Sequence, residues 1–175
     1  MTDEKLFRTI VETTEMTCET LAFMFPMPPP EDAPEPGEQE HAEVARVRVY
    51  FDGPITGSMV LSMPRSMLPM LAANMLGLDE DETTADQRRD AACELCNVVC
   101  GNLLPAMAGD EPVFSVSPPE ICDAPPAADS DHSTSARVWL DEGWVEAEFA
   151  VNEGLSALNQ FAPSSDIPTA LRPAA

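Results

Sequence analysis

Residues 90–102 read DAACELCNVVCGN and hold two series of side chains whose types and spacing could do chemistry. Cys93, Cys96 and Cys100 form C-x2-C-x3-C, a spacing that zinc, an iron–sulfur cluster or a redox centre could use. Asp90, Glu94, Asn97 and Gly101 form the second: acid, acid, amide, glycine. On a helix, which advances about 100° per residue, this second series falls in one narrow stripe. Ala92, Cys93, Cys96, Val99, Cys100 and Leu103 fall on an adjoining arc. The thiols therefore sit among small apolar side chains, where a cysteine packs as a hydrophobe.

A metal would need a fourth ligand from elsewhere. Cys18 and Cys122 are distant in sequence, and His41 and His132 stand in loops without ligand-like spacing. The cysteines are read as core packing, and no metal is assigned. The polar stripe is either a solvated helix face or a docking surface. Asn97 is a poor helix former, and Gly101 costs a helix roughly 1 kcal/mol against alanine. Both favour close approach by another backbone.

A helix must carry these residues. Thr84 with Gln87 three positions on is a capping box, so a long helix is predicted to start there. Upstream, Phe7, Val11, Thr14, Cys18, Leu21 and Phe25 recur at steps of three and four, predicting an amphipathic helix from Asp3 to Phe25. PMPPPEDAPEPGEQE then reads as a long acidic, proline-rich loop at about 26–42. EVARVRVYF (43–51) alternates, DGP turns, and ITGSMVLSM (55–63) follows: an antiparallel hairpin. A helix from Pro64 ends at Gly77. After Gly109, PVFSVS, SARVWL and WVEAEFAV predict further strands, with residues 123–135 largely loop and the tail after about 160 weakly ordered. The expected fold is α+β: one domain over residues 1–175, an antiparallel sheet packed against long helices.

Composition excludes some function classes. Nine Lys+Arg against 31 Asp+Glu give a net charge of −22. Phosphate contacts need clustered cations, so nucleic acid is not an expected partner, and an anionic membrane surface is disfavoured. No apolar run reads as a membrane span and the N-terminus has no apolar signal core, so the cytoplasm is the expected compartment. Five cysteines, three of them within eight residues, fit reduced thiols.

The stretch from Asp90 to Asn102 resembles the signature of the CheC/CheX/FliY chemotaxis phosphatases: Asp or Ser, three residues, Glu, two residues, Asn, with a proline further downstream. Asp90, Glu94 and Asn97 match position by position, and Gly101–Asn102 match the common continuation. Pro118 or Pro119 stands slightly early for the proline. FDGPITGSMVLSMP resembles the family's glycine-bearing hairpin and MLAANMLG the helix after it. The first helix has Glu15 and Glu19 but Ala22 where an Asn is required, so one motif is present, which is closest to CheX.

The resemblance implies a phosphatase that hydrolyses the phosphoaspartate of a CheY-like response regulator. In that reading Asn97 orients the attacking water and Glu94 pairs with the receiver lysine, both as catalytic residues. Asp90, Gly101 and Asn102 support docking, and Arg88 and Arg89 relieve the repulsion between two acidic proteins. Mg2+ is expected on the partner receiver and no cofactor on this chain; a homodimer is implied. The alternatives are a non-catalytic adaptor that binds a receiver or another signalling protein, and a redox or metal sensor built on the cysteine face.

Overall fold

The structure is a computed structural model and describes residues 3–31, 33, 43–109, 111–122 and 133–154. The elements are α1 (Asp3–Ala22), β1 (Val44–Asp52), β2 (Thr56–Pro64), α2 (Leu68–Leu76), α3 (Ala85–Ala108), β3 (Ser115–Val116), β4 (Glu120–Ile121), β5 (Ser133–Leu140) and β6 (Gly143–Glu153). Single 3-10 turns stand at Arg65–Met67 and Glu80–Glu82. The strands form one antiparallel sheet in the order β3-β1-β2-β6-β5, with β4 also paired to β1. The expected α+β fold is what the chain adopts.

Period-two alternation sets the faces of the sheet. Ala45, Val47, Val49 and Phe51 of β1 are buried, and their partners across the ladder include Leu61, Met59 and Gly57 of β2. Phe51 stacks on Phe149 of β6 with ring centroids 4.8 Å apart. Gly57 makes that stack possible, because a Cβ there would collide with the Ala150 carbonyl and the Phe51 ring. The three helices share this buried face and one core with it.

Several boundaries differ from the sequence expectation. The first helix ends at Ala22, and Phe23 takes a left-handed φ of 54°. Beyond it the chain runs extended along β5, with the Met27 amide donating to Trp139 O at 2.8 Å and the Asp141 amide to Phe25 O at 3.0 Å. The buried stripe of α1 is also rotated from the predicted one. Leu6, Ile10, Thr13, Thr14, Thr17 and Cys18 are inside, whereas Phe7 and Phe25 are exposed. Threonine misleads a hydropathy pattern here: the Thr17 hydroxyl donates to Thr13 O at 2.8 Å, so it enters the core satisfied.

PVFSVS was expected as one strand. Only Ser115–Val116 of it is strand, β3, and a second short piece, β4, follows beyond Pro118 and Pro119, which have no amide for the ladder. The Ser117 amide to Tyr50 O (2.8 Å) and the Cys122 amide to Arg46 O (3.0 Å) carry the edge along β1 on either side of the break. β5 starts at Ser133, inside the expected loop. Pro64 closes β2, and α2 begins at Leu68 after a 3-10 turn. Most of the 26–42 loop, residues 123–132 and the tail after 160 lie outside the described residues.

The helix that carries the motif is built as predicted. Thr84 Oγ1 accepts from the Gln87 amide at 3.3 Å and Gln87 Oε1 from the Thr84 amide at 2.8 Å, satisfying two orphan donors at its start. Gly109, at φ 83°, ends it. α3 packs against α1, α2, β1 and β2. By length and composition alone it could cross a bilayer, which the sequence reading missed, but its apolar arc is the core of the fold.

Candidate functional site

The two series of residues 90–102 part company around α3. Cys96 and Cys100 have no exposed surface, and the Cys96 thiol donates to Val47 O at 3.5 Å. Burial pushes the Cys100 thiol up to about 12 and raises Cys96 as well. Cys18 on α1 is likewise pushed up to about 12, by burial and then by Glu15. Cys93 departs from the core-packing expectation. It is only half-buried, at the margin between core and stripe. Its thiol is raised by burial and by Asp90, against the opposing pull of Arg89. Among the described residues no group of three His, Cys, Asp or Glu side chains is placed to hold a metal ion.

On the other side, Asp90, Glu94 and Gly101 are exposed and Asn97 is half-buried. Ala91, Ala92, Leu95, Cys96, Val99 and Cys100, the neighbours of these residues in sequence, are buried. The core therefore fixes the rotation of the helix and leaves carboxylate, carboxylate, amide and glycine on one outward line.

Gly101 is not demanded by the fold. A Cβ added there would meet nothing within 4 Å. Its neighbour Asn102, also exposed, is partly committed to structure: its side-chain amide donates to Thr17 Oγ1 at 3.1 Å. One residue that sequence reading missed is Pro105. It is exposed, one turn beyond Gly101 on the same line, and it has no amide to give the Gly101 carbonyl. The line thus ends in a missing side chain and a backbone acceptor without its helical donor. The signal was present in the sequence as a proline four residues after a glycine.

The two arginines separate. Arg89 pairs with Asp86 at 3.5 Å and Asp90 at 3.4 Å, so it stands beside the stripe. Arg88 was expected there too, but it projects to another side of the helix. Its Nε donates to Thr83 Oγ1 at 2.8 Å and its terminal nitrogen to Glu80 O at 3.3 Å. One residue's difference on a helix, about 100° of turn, is enough to give the two different partners. Pro118 and Pro119 stand in the edge strand beside β1, where their role is to break the ladder.

Chemically, the outward line can pair with a cation through Glu94, hold a water or polar group through Asn97, and admit a close backbone at Gly101. It offers no nucleophile of its own, because the thiols beside it are buried or held protonated.

A family model described as chemotaxis phosphatase CheX matches residues 46–141. Comparison with curated proteins finds no match. Among solved structures, the fold is similar to a chemotaxis protein CheX from Desulfovibrio desulfuricans, with TM-score 0.63 and 18% identity over 85% of this chain and 99% of that one. It is similar to CheX from Vibrio vulnificus, with TM-score 0.65 and 15% identity over 87% and 99%. It is also similar to the CheX–CheY–BeF3–Mg2+ complex from Borrelia burgdorferi, with TM-score 0.59 and 17% identity over 83% and 97%. At these identities the structural likeness speaks for the fold alone. The family match spans more than half of the 175 residues and includes the whole stripe from Asp90 to Gly101, and the chain belongs to the CheX family.

Proposed function

We propose that this protein binds the phosphorylated receiver domain of a CheY-like response regulator and hydrolyses its phosphoaspartate. The observation that carries the reading is the outward placement of Glu94 and Asn97, one turn apart on a helix whose other side is locked in the core. An acyl phosphate is hydrolysed when a water attacks phosphorus in line with the departing carboxylate, so positioning and charge stabilisation do most of the work. The Asn97 carboxamide accepts from and donates to that water without ionising. Glu94 pairs with the receiver lysine and sets the register of the two surfaces. The water's oxygen joins phosphorus, the P–O bond to the receiver aspartate breaks, and inorganic phosphate leaves. Mg2+ belongs to the receiver.

Asp90 is a supporting contact at the rim, with Arg89 beside it. Membership in the CheX family and the likeness to a CheX that was crystallised with CheY support the choice of partner. The same membership supports a homodimer acting in the cytoplasm. The test is phosphate release from a panel of phosphorylated receiver domains of the same organism, with and without this protein. Acceleration of one receiver's dephosphorylation at catalytic amounts of protein supports the reading. Binding without acceleration leaves an adaptor in its place.

A further inference from the structure

On a different side of α3 from the stripe, a cleft of about 310 Å3 opens to solvent beside the first turns of the helix. Ala45 of β1, Leu68 and Pro69 of α2 and Ile121 of β4 make its apolar walls. Ala85 and Ala92 of α3 add to them, and Arg65, Arg88 and Arg89 complete the lining, three of the nine basic residues in a chain with 31 acids. Arg89 is balanced by Asp86 and Asp90. Arg65 and Arg88 have no carboxylate partner among the described residues. Acids are not lacking nearby: the Glu80–Glu82 turn lies beside Arg88 and gives it a backbone carbonyl.

We propose that this cleft takes an acidic peptide segment of a partner protein, with an apolar side chain seated between Leu68, Pro69 and Ile121 and flanking carboxylates on Arg65 and Arg88. Charge complementarity selects the occupant, since on so acidic a surface two unmatched arginines around an apolar floor mark the place where an acidic chain is attracted. The volume selects a side chain over a free small molecule. The cleft is at the lower end of cavities that enclose ligands, and it is open on one side. Ile121, nearly half exposed at 46%, is the apolar anchor most available to such a segment. The site does not depend on the phosphatase reading.

The test uses fluorescence polarisation with three labelled peptides: alternating Asp and Leu, alternating Lys and Leu, and alternating Asp and Ser. The Asp/Leu peptide is expected to bind and the other two not. Arg65→Glu and Ile121→Asp, both at exposed positions, each weaken it by about tenfold or more. Arg8→Glu, an exposed charge reversal on α1, leaves it unchanged. Circular dichroism melts confirm that the variants are folded. Failure of the Asp/Leu peptide to bind, equal binding of the Lys/Leu peptide, or wild-type binding by folded Arg65→Glu and Ile121→Asp would overturn the proposal. So would displacement of the peptide by laurate with the fatty acid binding more tightly, which would make the occupant a small amphiphile.

Discussion

The side-chain amide of Asn102 donates to the hydroxyl of Thr17 across 3.1 Å, and Thr17 in turn donates to Thr13 O at 2.8 Å. This chain of contacts ties α3 to α1 one residue past Gly101 and holds the outward line in place. Asn102→Ala leaves Thr17 its own donor bond but removes a helix–helix contact. The expected cost is about 1 kcal/mol in urea unfolding, with a matching loss of receiver binding if the rotation of α3 relaxes. Unchanged stability in that variant would mean that packing alone sets the rotation.

Gly101→Ala separates fold from function. With nothing within 4 Å of the added methyl and a better helix former in place, the protein gains about 0.5–1 kcal/mol. Receiver binding weakens, because the methyl stands where the partner's backbone approaches. Pro105→Ala acts in the same direction by restoring an amide donor to the Gly101 carbonyl. A rise in melting temperature without loss of affinity would make the glycine an accident of sequence.

Glu94 tests the docking charge. Glu94→Gln keeps an acceptor and loses the charge; Glu94→Lys sets two cations face to face. Affinity for a receiver carrying an acyl-phosphate mimic is expected to fall in the order wild type, Gln, Lys, by several kcal/mol in the last case. The residue is exposed, so melting temperatures stay close to wild type. Equal affinity in all three would reduce the line to a solvated helix face.

The thiols predict an alkaline limit to stability. Cys18 and Cys100 move from an ordinary value of 9.0 to about 12 on folding. Both states hold the proton below 9, so the stabilisation is complete there. As pH rises above 9 the unfolded chain ionises and the folded one does not, and stability is lost progressively towards 12. Urea midpoints compared on the two sides of pH 9 should show the fall, and Cys100→Ala should lessen it. Maleimide labelling of the native protein should strike Cys93 ahead of Cys96 and Cys100. An unchanged pH profile in Cys100→Ala would contradict the assignment.

On β5 and β6, Arg137 holds Glu146 at 2.7 Å and lies over the Trp144 ring at 4.4 Å, with only 4% of the arginine side chain exposed. Glu146→Ala should cost about 1.5–3 kcal/mol, since it removes a charge-assisted bond from a buried cation. A loss below 1 kcal/mol in urea denaturation would mean that the pair is effectively solvated.

Much of this was legible in the sequence because local physics and tertiary packing agree there. The Thr84–Gln87 box, the alternation of β1 and the period of α3 each name their own structure. What escaped depended on neighbours far along the chain. Thr13 and Thr17 look polar, yet both are buried beside the expected Thr14, and Thr17 meets Asn102 of α3. Phe25 looks like the next helical position, yet β5 captures it by hydrogen bonds to Asp141. Arg88 sits next to Arg89 in sequence and both line the cleft, but only the structure shows that Arg88 bonds to Thr83 and Glu80 O while Arg89 pairs with Asp86 and Asp90. The position of the stripe could be read from spacing; that Glu94 and Gly101 stand exposed while Asp90 pairs with Arg89 could not.

Asn97 carries the central claim. The decisive measurement is the rate of phosphate release from a phosphorylated receiver domain, in wild type and in Asn97→Ala, with melting curves taken on the same samples. The expected result is a wild-type acceleration that falls by about 10²-fold or more in Asn97→Ala, with the melt nearly unchanged, since one oriented water is lost and no core contact with it. Acceleration as fast in a well-folded Asn97→Ala protein as in wild type would contradict the account.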